Sequence, residues 1–398
     1  MKKSTLSQLN STSMKNLKSF VKMGADIEPP DNIPTGHFAL DFILHYGEDP
    51  SNIDLSKINY EPSKPLGLPL GKLVEIYGEE GGGKSSLGYR IAGYAQKKGY
   101  PAAWIDTEHS FSKNLAEING CNVQELLYSN LVNDDNPEDD FHAEKVIDNM
   151  IELCKAGVKV IILDSVANLI PKERAEKDAE NKQMGLLARV LSDNLGKVVG
   201  YAEKYGTLLV FINQLRKDLN VMFGDDETTK GGNSLKHNAS VRIKISKRNT
   251  KKANIVIPDE DNNEDKIIGR HSIVRIKKNR FAKPFFDSIS IPVYYVPYFP
   301  GIEEIAFNVG RQMKLISVRK KVYKWDEIKI EGKDNFMKEI KSQGLVSKLI
   351  KDIKAKANKE GILIPPELLQ YNLKDDDEGM EKTVSRDRKT KDSRSSKK

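Results

Sequence analysis

The stretch Gly78-Glu79-Glu80-Gly81-Gly82-Gly83-Lys84-Ser85 constrains this chain more than any other. It satisfies the phosphate-binding pattern G-x-x-x-x-G-K-[ST] at every fixed position. Its flanks fit as well: the apolar run Leu73–Tyr77 reads as a buried strand and Ser85–Ala95 as a helix. Strand, glycine-rich turn and helix is the geometry that phosphate binding requires. Glycines let backbone N–H groups approach phosphate oxygens with no side chain in the way. The N-terminus of the helix, where Ser86 follows Ser85, adds partial positive charge. Lys84 then reaches the β- and γ-phosphates, and the Ser85 hydroxyl ligates Mg²⁺. The alternative, a chance glycine-rich turn, leaves the Lys-Ser pair and the preceding strand unexplained. The chain is expected to bind a nucleoside triphosphate.

At 398 residues the chain exceeds the usual size of one domain, so a large domain with smaller companions is expected. A charged fraction of 30% and a mean hydropathy of −0.53 point to a soluble protein, and no apolar run approaches a membrane span. Met1-Lys2-Lys3-Ser4 opens without the apolar core of a signal peptide. Cys121 and Cys154 are too few for a disulfide framework or a zinc site and read as core thiols in a reducing cytoplasm. A net charge of +7 permits a polyanionic partner without identifying one.

Residues 1–35 read as an arm, with Ser11–Met23 as a short helix broken by Glu28-Pro29-Pro30. Glu48–Pro69 reads as a loop or insertion. A strand–helix rhythm follows. Ala102–Ile105, Val158–Leu163 and Thr207–Ile212 are strands; Lys113–Ile118, Ala143–Ala156 and Leu186–Lys204 are helices. Uninterrupted apolar strands between helices imply a parallel sheet covered on both faces. Val241–Ser246, Ser272–Lys277 and Ser288–Tyr295 follow with no helix between them and are expected as antiparallel additions, with Lys251–Asp265 as a hairpin tip. Residues 36–306 then form the core, 307–371 a small mixed domain with Asn335–Asn358 mostly helical, and 372–398 a charged, disordered tail.

Four strand ends carry chemistry. Val158–Leu163 delivers Asp164, the type of carboxylate that holds Mg²⁺ in phosphate-loop enzymes; a helix cap is the plainer reading. Ala102–Ile105 is followed by Asp106-Thr107-Glu108-His109, where Glu108 can polarise an attacking water or be a solvated loop acid. Phe211-Ile212-Asn213-Gln214 places an amide on the nucleotide side. Beyond it Leu215–Gly232, about 18 residues, is long for a compact domain. It carries Arg216, Lys217 and Lys230, but also Asp218, Asp225, Asp226 and Glu227, and its single aromatic, Phe223, argues against base stacking. Lys278 and Arg280 end another strand, as a solvated edge or as cations offered to a transition state in cis or from a neighbouring subunit.

Together these segments resemble the RecA family of bacterial-type DNA recombinases. The resemblance runs from about Gly71 to Phe285 through Leu73–Ser86, Trp104–His109, Val160–Leu169, Gln183–Arg189, Phe211–Gln214, Val221–Lys236 and Lys278–Phe285. Val221–Lys236 is the most specific, because general phosphate-loop ATPases lack it. The resemblance implies an α/β fold: a RecA-like ATPase core with a mostly parallel central sheet flanked by helices, an N-terminal polymerisation arm and a small α+β C-terminal domain. It implies a DNA-dependent ATPase, using ATP and Mg²⁺, that forms helical filaments on single-stranded DNA and exchanges strands with homologous duplex. Single-strand-binding or mediator proteins are implied as partners, and a membrane is not. Glu108 is implied as the water-activating residue and Gln214 as the γ-phosphate sensor. Glu173–Gly185 and Leu215–Gly232 are implied as DNA loops, with Arg189 as a DNA contact and Gly231, Gly232 and Asn233 as a cradle for DNA phosphates. Lys278 and Arg280 are implied as cations reaching ATP on the adjacent protomer.

The chain also departs from the family. Leu115 stands where the family has an adenine-stacking tyrosine, and His237 where it favours an aromatic. Arg280 replaces the usual Lys, Glu48–Pro69 and Lys251–Ile267 are longer, and the glycines at 81–83 are richer than usual. After acidic Asp375–Glu378, Glu381–Lys398 holds eight Lys/Arg against three acids. These features mark a divergent member, and a viral source is compatible with them. Two rivals share parts of the reading. A ring-forming helicase or branch-migration ATPase would lack Val221–Lys236. A non-hydrolysing single-strand binder would not need Lys84, Glu108 and Asp164 intact.

Overall fold

The computed structural model describes residues 30–48, 66–131, 142–175, 185–217, 227–258, 265–296, 302–360 and 368. Most of the expected arm, most of the Glu48–Pro69 insertion, the middles of both expected DNA loops, residues 259–264 of the expected Lys251–Asp265 tip and the expected tail lie outside these residues.

In chain order, β1 (Asn32–Ile33) precedes α1 (Phe38–Tyr46) and pairs with β2 (Leu68–Pro69). The core continues as β3 (Leu73–Gly78), α2 (Lys84–Lys97), β4 (Ala102–Asp106), α3 (Lys113–Ile118), β5 (Leu126–Ser129), α4 (Ala143–Lys155), β6 (Val160–Asp164), α5 (Lys172–Ala175) and α6 (Leu186–Tyr205). Then come β7 (Leu208–Lys217), β8 (Glu227–Thr229), α7 (Gly232–Asn238), β9 (Val241–Ser246), β10 (Asn254–Pro258), β11 (Asp265–Asn279) and β12 (Ile289–Tyr294).

One mixed sheet organises the core, in the order β10-β11-β9-β3-β7-β6-β4-β5, with β12 on β11 and β8 on β7. The strands are apolar on both sides because both faces are covered. Alternate residues divide accordingly. Val74, Ile76, Trp104, Ile162 and Val210 pack toward Leu87, Ile91 and Ala95 of α2; Leu73, Ile105, Ile161, Leu163 and Phe211 pack toward α4 and α6. Both cysteines are buried thiols, as expected.

β9 is a correction. It runs parallel to β3, with Val74 opposite Val241 and Gly78 opposite Ile245. The antiparallel expectation holds only from β11 onward, which pairs antiparallel with β9, β10 and β12. The reason is α7, a short helix that follows the expected Leu215–Gly232 loop in a stretch to which the sequence assigned no element; it supplies the crossover a parallel return needs.

The C-terminal elements begin at Ile302, ahead of the expected boundary at 307. They are α8 (Ile302–Gln312), β13 (Ser317–Arg319), β14 (Val322–Trp325), β15 (Ile328–Glu331), α9 (Lys333–Ser342) and α10 (Val346–Glu360). They bury their own cluster around Phe307, Trp325, Phe336, Ile340 and Ile350.

Candidate nucleotide site and DNA-facing ends

Register decides where the site lies. Gly78 of β3 sits opposite Gln214 of β7, Asp164 of β6 opposite Ile212, and Asp106 of β4 opposite Asp164. β3, β6 and β4 thus end level with Ile212–Gln214 of β7, at the edge where open α/β sheets bind ligands. Gly78 must be glycine, since a Cβ there would overlap the Ile245 carbonyl of β9. Gly83 caps α2 with φ 98°, a left-handed conformation that suits glycine. Glu79, Glu80 and Gly81 are exposed, Gly82 and Ser86 buried. Lys84 begins α2, and its ammonium donates to the Glu79 carbonyl at 2.9 Å, folded back over its own loop.

The Ser85 hydroxyl donates to Asp164 Oδ2 at 2.7 Å. Burial pushes the Asp164 carboxyl up to about 6, against the Ser85 hydrogen bond; nearby Glu108 pushes the same way as burial and Lys84 opposes it. A buried carboxylate with too little compensation is a good receiver for positive charge. The oxygens of Ser85 and Asp164 fit Mg²⁺, which takes few protein ligands and completes its shell with phosphate and water. No group of three or more His, Cys, Asp or Glu able to hold a metal is found among the described residues.

Glu108 stands at the centre of a polar bridge. Its Oε1 accepts from the Ser165 hydroxyl at 2.5 Å and from Gln214 Nε2 at 2.9 Å. The ends of β4, β6 and β7 are therefore joined through one carboxylate. Ser165 follows a cis peptide after Asp164. Thr107 locks β4 to β6: its hydroxyl donates to the Ser165 carbonyl at 2.6 Å and accepts the Ser165 N–H at 2.8 Å.

Two groups were not singled out from the sequence. Asp106 accepts the N–H groups of Glu108 at 3.1 Å, Ser110 at 3.2 Å and Phe111 at 2.9 Å, and the Tyr128 hydroxyl at 3.1 Å. It shapes the turn that presents Glu108. An Asp opening a polar turn is the available signal. The second is Glu75, fully buried in β3. It receives Arg242 Nε of β9 at 2.6 Å and Asn213 Nδ2 of β7 at 3.1 Å. Asn213 also donates to the Lys230 carbonyl at 2.7 Å, and Lys230 Nζ donates to the Ala167 carbonyl at 2.9 Å. An acid inside an apolar strand was the only sequence trace of this network.

The DNA-facing candidates gather at two helix starts. Gly185 caps α6 and Gly231 caps α7. A Cβ on Gly231 would lie 2.7 Å from Leu191, and one on Gly232 2.9 Å from the Ala188 Cβ, so the two helices meet at their first turns. Arg189 and Asn233 are exposed there; Arg216 is exposed on β7, which Lys217 ends. Lys278 and Arg280 are not brought to the bridge around Glu108. Lys278 Nζ donates to the carbonyls of Lys236 at 2.8 Å and His237 at 3.0 Å, and Arg280 Nη2 to that of His237 at 2.7 Å. Both cations thus cap the C-terminus of α7. Burial, then the charges of Arg280 and Arg242, lower the Lys278 ammonium from its ordinary value.

A family model, the RecA N-terminal domain, matches residues 64–298. The chain belongs to the RecA family. It is 37% identical over 269 residues to Protein RecA of Methylococcus capsulatus, covering 67% of each chain. It is 33% identical over 316 residues to Protein RecA of Ehrlichia ruminantium, covering 79% of this chain and 77% of that one. A solved structure of the RadB recombinase aligns with TM-score 0.41 and 20% identity, covering 57% of this chain and 89% of that chain.

Proposed function

We propose that this RecA-family protein is a DNA-dependent ATPase that assembles as a helical filament on single-stranded DNA, pairs it with homologous duplex and exchanges strands. The observation that carries the reading is the Gln214–Glu108 hydrogen bond. β7 runs on from Gln214 to Lys217, so the group touching the candidate base is continuous with the segment expected to hold DNA.

Phosphoryl transfer depends on positioning and charge neutralisation more than on covalent chemistry. In this reading the 78–83 loop and the start of α2 cradle the phosphates through backbone N–H groups. Lys84 turns from the Glu79 carbonyl to the outer phosphates. Ser85 and Asp164 hold Mg²⁺, which when bound neutralises phosphate charge. Glu108 orients and polarises the attacking water, and Gln214 exchanges its contact with Glu108 for the γ-phosphate, passing the nucleotide state to the following loop. Arg189, Arg216, Lys217, Gly231, Gly232 and Asn233 face the DNA backbone, which suits sequence-independent binding. Lys278 and Arg280 complete the site of a neighbouring protomer. Residues 1–35 serve as the assembly arm and the cytoplasm as the place of action; no helix among the described residues is long and apolar enough to cross a membrane.

The test is ATP turnover with and without single-stranded DNA, with the same samples imaged. DNA-stimulated turnover and helical filaments are expected. Stimulated turnover in closed rings would favour the helicase reading, and filaments with background turnover the non-hydrolysing binder.

A further inference from the structure

The phosphate loop has its own lysine, Lys84, and a second lysine reaches it from another strand. The parallel pairing of β9 with β3 sets Ile245 against Gly78, the first residue of the loop. Lys247, two residues further, is thereby carried alongside the loop. Its side chain lies over Gly81: a Cβ built there would stand 2.8 Å from both Cε and Nζ of Lys247. Gly81 has φ 65° and is exposed. Among the described residues Lys247 has no hydrogen bond or ion pair to hold it.

The two lysines feel each other. Burial is the main cause lowering the Lys84 ammonium; the charges of Asp164, Glu108 and Glu80 oppose it, and that of Lys247 reinforces it. Two cations converging on one glycine-rich turn repel unless an anion lies between them. Gly81 is on the strand side of the turn, away from the helix start that holds the inner phosphates. An anion meeting both lysines there is the outer end of a polyphosphate.

We infer that Lys247 is a second phosphate-binding cation of the nucleotide site, supplied by the same chain, which contacts the terminal phosphate of a nucleoside triphosphate beside Lys84. The inference rests on the nucleotide reading of the 78–85 loop. It differs from the roles given to Lys278 and Arg280 because it needs no second protomer. A lone chain already distinguishes triphosphate from diphosphate.

The full chain is titrated, without DNA, with a non-hydrolysable ATP analogue and with ADP, each with Mg²⁺. Wild type, Lys247→Ala, Lys247→Arg and Lys84→Ala are compared. Lys247→Ala should weaken the triphosphate about tenfold, the effect of one charge-assisted contact, and the diphosphate by less than about threefold. Lys247→Arg should restore most of the triphosphate affinity, and the melting point without nucleotide should not move. If Lys247→Ala melts early, Lys247→Gln repeats the comparison with a polar stem. Unchanged triphosphate affinity, or equal loss of both nucleotides, overturns the role of Lys247 while a damaging Lys84→Ala leaves the nucleotide site standing. A wild type that binds neither nucleotide, or an indifferent Lys84→Ala, overturns the nucleotide reading and the inference with it.

Discussion

Glu108 links β4 to β6 and β7, since Ser165 and Gln214 both donate to its Oε1. Replacing it with glutamine keeps the shape and removes the charge that polarises water. Glu108→Gln should lower DNA-stimulated turnover by about 10²–10⁴-fold and leave nucleotide and DNA affinity near wild type. Turnover within a factor of two of wild type would remove it as the base. Away from the chemistry, Asp41 gives a pH test. Its Oδ1 accepts the Thr35 N–H at 2.8 Å, and burial pushes its carboxyl up to about 7 despite the Thr35 bonds and the Arg90 charge. The folded chain therefore holds this proton more tightly than the unfolded chain, where the ordinary value is 3.8. Its contribution is most favourable at low pH and declines as pH rises through about 7. Asp41→Asn keeps the acceptor and loses the charge. Its melting point should exceed wild type at pH 8, and the gap should narrow towards pH 5. A gap that does not vary with pH would mean that Asp41 is not the titrating group.

The same contrast separates what could be read in advance from what could not. Leu73–Tyr77, Ala102–Ile105 and Thr207–Ile212 announced themselves because strands buried on both faces are continuous apolar runs. β5 did not: Leu126–Ser129 is a short edge strand with mostly exposed residues, so no run marks it. α1 did not, because Phe38–Tyr46 is almost wholly apolar and has no side-chain N-cap. β7 outlasts its apolar stretch and reaches Lys217 because β8 pairs with Leu215, Arg216 and Lys217, a long-range partner invisible in composition. In the site, the phosphate loop, Asp164, Glu108 and Gln214 were legible as strand ends, whereas Asp106 and Glu75 act through partners that only folding supplies. Glu75 ties β3, β7 and β9 together with no exposed surface, while its partner Arg242 keeps 13% of its side chain accessible. Removing one member strands a buried charge. Arg242→Met should lower stability by about 3 kcal/mol, and Glu75→Leu combined with Arg242→Met should recover most of that. Chemical denaturation of these two variants and of Glu75→Leu alone decides it; additive losses would show that the pair is not coupled.

The site as a whole is built from one side only. β3, β4, β6 and β7 deliver the loop, Glu108, Asp164 and Gln214, while Lys278 and Arg280 are held at the end of α7 by the Lys236 and His237 carbonyls. α7 begins at the glycine pair that closes the second expected DNA loop, so a change at its start can be felt by the cations at its end. If those cations act on the next protomer's nucleotide, each site has two owners and the two defects must complement. Lys84→Ala spoils the loop of its own protomer and spares its cations. The double variant Lys278→Ala with Arg280→Ala does the reverse. Each alone should be inactive on single-stranded DNA. In an equal mixture, random head-to-tail neighbours place an intact loop against intact cations at about a quarter of the interfaces. Mixed filaments should therefore regain turnover towards about that fraction of wild type, although neither component contributes any. Circular dichroism of the double variant checks that α7 survives the loss of its capping cations. A well-folded mixture that stays inactive would place Lys278 and Arg280 outside the nucleotide site and leave them as caps of α7.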